Sequence, residues 1–132
     1  MKIKPITPIL LYAKTVNYTK LTGQTTSWVK IVSGAYDTFY CEWQGGFGDR
    51  AIAAQSIGVK DFATIRTFFN PIIYEKLRTV QVVVIKNADA TAIVSGNPDK
   101  NNPNVYELWG GVDNVKEENQ FMEFKVRRFE GL

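Results

Sequence analysis

Apolar residues in this chain recur at every second position in short runs, and nowhere over a long stretch at every third or fourth. Residues 121–129 are the clearest case: Met122, Phe124 and Val126 alternate with Glu123, Lys125 and Arg127. Neighbouring side chains of a strand point to opposite faces, so this run predicts a strand with one face in a core and the other in water. Residues 80–85 are almost continuously apolar and β-branched, which predicts the strongest strand in the chain. Residues 62–69 and 105–109 predict two further strands, and residues 9–12 a short first one. In residues 35–43 aromatics fall on both parities, as in a strand covered on both sides.

Between these runs the chain is punctuated. Asn70-Pro71 ends one strand, and residues 72–78 read as either a helical turn or a loop. Residues 91–94 are expected to continue the 80–85 strand past a kink, and residues 97–104 carry turn chemistry throughout. Residues 17–27 are polar and threonine-rich and predict a loop, with residues 28–32 either a short strand or the packed base of that loop. Residues 51–58 are ambiguous, because alanines favour a helical turn that Gly58 would stop. The expectation is a mainly β protein: a small antiparallel β-barrel of about six strands, with a long loop or short helical turn between strands two and three.

A length of 132 residues suits one domain, 1–132, of which residues 1–34 form the less certain N-terminal segment. The 45% hydrophobic content is that of a globular chain. The net charge of +3 is mild, but its distribution is uneven: Lys2, Lys4, Lys14, Lys20 and Lys30 precede the first acidic residue. That stretch is either a basic arm for an acidic partner or DNA, or a solvated surface. The single cysteine, Cys41, lies in an aromatic run and reads as a buried inert thiol, with a reducing compartment expected. The N-terminus lacks the apolar core of a signal peptide, and no apolar run approaches a membrane span, so no membrane partner is expected.

Catalytic signatures are sparse. The chain has no histidine, which removes the common triads, acid–base pairs and zinc arrangements. Residues 46–51 fit G-x-G-x-x-A, yet no long helix follows, so a dinucleotide site is not expected. Residues 99–104 echo a calcium loop but lack its glycine and closing glutamate. No cofactor or metal is expected. Basic residues interleave with aromatics in residues 66–69 and 125–129, a pattern suited either to single-stranded nucleic acid or to core aromatics beside solvated charges.

Several runs resemble the head–tail adaptor proteins of long-tailed double-stranded DNA phages and prophages, also called head-closure or stopper proteins. They are AYDTFYCEW at residues 35–43, DRAIAAQSIGV at 49–59, ATIRTFFNP at 63–71, YEKLR at 74–78, VVVIKN at 82–87, NVYELWGGVD at 104–113 and FMEFKVRR at 121–128. The resemblance covers residues 35–130. It implies a small β-barrel without enzyme activity, assembled in the virion after a stage in the host cytoplasm. It implies a ring of about twelve copies beneath the portal and connector, with a tail-completion or tail-tube protein below and packaged double-stranded DNA in the channel. Lys2, Lys4, Arg50 and Lys60 would be the DNA or partner contacts. The alternatives are a tail-completion or tail-terminator ring, or a basic barrel that binds single-stranded nucleic acid.

The resemblance also gives a task to Gln44, Gly45, Gly46, Phe47, Gly48, Asp49 and Arg50. In such proteins an excursion between the second and third strands is held to reach into the channel and retain DNA. Here residues 44–60 would fill that role, with the glycines allowing shape change and Phe47 as the apolar contact. Folded back on itself, such a stretch reaches roughly 25 Å. The plainer reading is a β-turn and one helical turn packed on the barrel.

Overall fold

The computed structural model describes residues 3–21, 23–45 and 62–130. Among these described residues nine strands and one α-helix follow in the order β1 (Thr7–Thr19), β2 (Gly23–Lys30), β3 (Phe39–Gly45), β4 (Ala63–Phe68), α1 (Pro71–Thr79), β5 (Val82–Lys86), β6 (Ile93–Val94), β7 (Asn97–Pro98), β8 (Val105–Asn114) and β9 (Phe121–Arg128). The protein is mainly β, as expected. Six strands pair antiparallel in the order β1-β3-β4-β9-β8-β5, and β5 pairs back onto β1, so they form a ring.

The inward side chains make the larger core. Ile9, Leu11, Cys41, Ile65, Val82, Val84, Met122, Phe124 and Val126 are all buried there. The alternation in β9 thus has the predicted phase. Its other face is only half-buried, because Glu123 and Arg127 hold ion pairs across the sheet rather than standing free in water. A second core lies outside the ring, where Leu10, Val83, Ile85 and Val105 meet Ala92 and Phe129. This is why Val82, Val83, Val84 and Ile85 are apolar at every position.

Helix α1 resolves the ambiguity at residues 72–78. Asn70 caps it, accepting from the Ile72 and Ile73 amides at 3.0 and 3.4 Å, with Pro71 in the first turn. Ile73 and Leu77 are four apart on one face and enter the main core. Because α1 links the end of β4 to the start of β5, it lies at the end of the ring away from Gly45.

Four expectations need correction. Residues 17–27 are not a loop: β1 continues to Thr19 and pairs with β2 from Tyr12↔Lys30 to Thr19↔Gly23. Beyond Ala13 it has no register partner in β5, so the rest projects as a two-stranded ribbon, exposed from Val16 to Leu21. Only its base meets a core, where Trp28 packs edge-on against Phe129; farther out neither face is covered, so its strands needed no apolar alternation. Residues 91–94 do not extend β5. Asn87 and Ala88 take left-handed φ of 61° and 50°, a 3-10 turn spans Ala90–Ala92, and β6 pairs only with β7. Strand β3 begins at Phe39, not residue 35, and its outer face is open, with Tyr40 57% exposed. Strand β8 runs past Trp109 to Asn114, because its ladder with β9 shifts between Leu108 and Val112, where Gly110 takes φ 92°.

Candidate functional site

Strands β3 and β4 are neighbours, with Gln44 opposite Thr64 and Gly45 opposite Ala63. The excursion expected over residues 44–60 therefore leaves and rejoins the ring at adjacent points of one end. Gln44 and Gly45 are exposed at that rim. Gly46, Phe47, Gly48, Asp49, Arg50 and Lys60 lie outside the described residues, as does Lys2. Lys4 is described and exposed, and no ion pair involving it occurs among the described residues.

The same end holds a cluster that neither composition nor motif announced. Trp43 packs edge-on against Tyr106 with ring centroids 4.8 Å apart. The Lys86 ammonium sits 4.9 Å from the centre of the Trp43 ring, a favourable cation–π distance. Register explains the convergence: Trp43 follows Cys41 on the inward parity of β3, and Lys86 follows Val82 and Val84 on that of β5. Tyr106 stands opposite Arg128 across β8 and β9. The Arg128 guanidinium donates to the Asn102 carbonyl at 3.4 Å. Beside this rim Phe62 is buried and meets Trp109 edge-on at 5.7 Å. The one hint in sequence was Lys86, a cation closing a run of four buried aliphatics.

The cluster suits contact more than chemistry. Cys41, paired in register with Thr7, is fully buried, and burial pushes its thiol up to about 12 although nearby Lys86 pulls the other way. A thiol held protonated is a poor nucleophile. Among the described residues no three of Asp, Glu, Cys and His gather closely enough to hold a metal, and no helix is long and apolar enough to cross a membrane. Two of the cations in the basic-aromatic runs at residues 66–69 and 125–129 are held in ion pairs. Arg66 Nε donates to Glu123 at 2.7 Å and Arg127 Nε to Glu107 at 2.8 Å.

A different carboxylate organises the outer segment. Asp89 accepts from the Thr91 amide and hydroxyl at 2.9 and 2.6 Å and from the Asn102 and Asn104 side-chain amides at 3.0 and 3.1 Å. These donors favour the charged form and hold its carboxyl well below the usual range. They pin residues 89–104 over the outer face of β5, a structural task.

No family model matches the chain, and neither a curated protein nor a solved structure shows significant similarity to it.

Proposed function

We propose that this chain is a structural protein of a phage virion that joins head to tail. In this reading copies form a ring beneath the portal and connector, narrow or close the DNA channel, and receive a tail-completion or tail-tube protein. It is not an enzyme. The observation that carries the reading is the adjacent anchoring of the long excursion at Gly45 and Ala63, on one end of a six-stranded ring whose other end is filled by α1. A ring of strands whose long β3–β4 connection begins and ends at the same rim suits a protein lining a channel. The Lys86–Trp43 pair at that end adds positive charge where DNA would pass. The ion-paired state of Arg66 and Arg127 weighs against single-stranded nucleic acid, because phosphate binding wants free cations.

The test is complementation. DNA-filled heads lacking this chain should leak nuclease-sensitive DNA and refuse tails, and purified protein should bind their connector and restore both. Failure to bind a connector assembly, with binding to tail tubes instead, would move the chain to the tail-terminator reading.

A further inference from the structure

Among the described residues two apolar surfaces are left open, on different parts of the molecule. The first is the β1–β2 ribbon. Tyr18 is 78% exposed and Leu21, at the tip, 98%. The second crosses the outer face of the ring. Register sets Pro8 beside Tyr40 and Phe68 beside Phe121, and the Thr67 hydroxyl donates to the Tyr40 carbonyl at 2.9 Å, binding β3 to β4 at the same level. Phe68 stacks on Phe121 with centroids 5.7 Å apart. This row borders a groove of about 360 Å³ lined by Pro5, Tyr36, Tyr40, Phe68, Phe69 and Ile73. Single exposed apolar side chains are ordinary, whereas a contiguous aromatic groove marks an interaction site.

We propose that the ribbon of one copy docks, through Tyr18 and Leu21, into the Tyr40–Phe68 groove of a second copy. This rests on the ring reading above and names its subunit contact. Three observations select a second copy. Residues 1–30 contain no acid, and among the described residues neither Lys14 nor Lys20 has an ionic partner. The groove is flanked by Glu42, which also lacks one, in line with the Arg66–Glu123 pair. With Lys4 at the Pro5 end and Glu42 at the other, the groove's acidic side is the Glu42 side, and a ribbon lysine such as Lys20 is complementary to it there. Reach agrees. Six residues of β1 beyond Ala13 span about 20 Å, more than the roughly 14 Å radius of gyration of a domain this long. The exposure of Leu21 shows that the ribbon does not lie in its own groove. Because ribbon and groove are different surfaces, the contact is head-to-tail, the kind that repeats into a ring.

Disulfide trapping tests this in purified protein, with no portal, connector or tail present. Trapping accumulates, so it captures a contact too weak to survive dilution. Leu21→Cys and Phe68→Cys variants are mixed under a glutathione redox buffer. Cys41 is buried and stays out of the exchange. The mixed dimer should form about tenfold faster than Leu21→Cys does with Asp99→Cys, tenfold being the equivalent of a contact favoured by 1.4 kcal/mol. Adding Lys20→Glu to the Leu21→Cys chain should slow it. Ile6→Cys, at the exposed end of the row, provides a second acceptor should Phe68→Cys melt early. Equal rates with the Asp99→Cys control would overturn the proposal, as would Leu21→Cys pairing fastest with itself, which would mean a symmetric embrace of two ribbons. A trapped mixed dimer stands even if the chain never binds a connector. Connector binding without trapping would remove the ribbon contact alone.

Discussion

Cys41 and Asp89 show how neighbours decide what a titratable side chain can do. The Cys41 thiol is fully buried among aliphatics and its pKa stands near 12, so thiol reagents at pH 8 should leave it unmodified in the native protein and label it once denatured. Fast labelling under native conditions, followed by mass, would mean that β1 opens away from β3. Asp89 is depressed by four hydrogen bonds in the folded state. Its contribution is complete above the ordinary carboxyl value of 3.8 and is lost as pH falls through the lower folded value. Asp89→Asn should therefore melt earlier than the parent at pH 7, and the gap should narrow below pH 3.8. An equal gap at all pH values would show that shape, not charge, matters there. The inert thiol was legible in sequence, because it sat in an aromatic run of a chain without histidine. The Asp89 hub was not, since its donors Asn102 and Asn104 come from a stretch that reads only as turns.

At the scale of elements, legibility followed burial. Strand β9 has one face in the core, so Met122, Phe124 and Val126 declared both strand and phase. Replacing Phe124 with alanine should cost about 3–5 kcal/mol, a large share of the roughly 5–15 kcal/mol typical of a domain. Thermal melting would check this, and an unshifted midpoint would contradict the packing described for the ring. The ribbon was misread for the opposite reason: water on both faces leaves Thr15, Asn17, Thr25 and Ser27 no reason to alternate with aliphatics. The helix was half legible, through Asn70-Pro71 at its start, but nine residues are too few to display a full periodicity. The rim cluster was invisible because Trp43, Lys86 and Tyr106 lie on three strands that only register brings together.

For the whole molecule, one chain should behave as a monomer at micromolar concentration. A single ribbon seated in a single groove buries little surface by the standard of stable dimers, so many copies on a template are needed to hold a ring. Light scattering would show this, and a stable assembly at that concentration without a template would refute it. The closure of the strand ring has a kinetic consequence as well. Strand β1 is followed at once by its hairpin partner β2, yet it completes the ring only on meeting β5, where Ile9 pairs with Lys86; β4 likewise waits for β9, where Ala63 pairs with Val126. Such distant pairings must absorb the entropy of closing long loops before any contact rewards them. Refolding is thus expected on the millisecond-to-second scale of non-local β topologies. The ribbon can form early and fast, while the aliphatic edge of β5 waits unpaired for β1. During synthesis and assembly that interval, rather than the folded state, is when the chain is most exposed to pairing with the wrong strand.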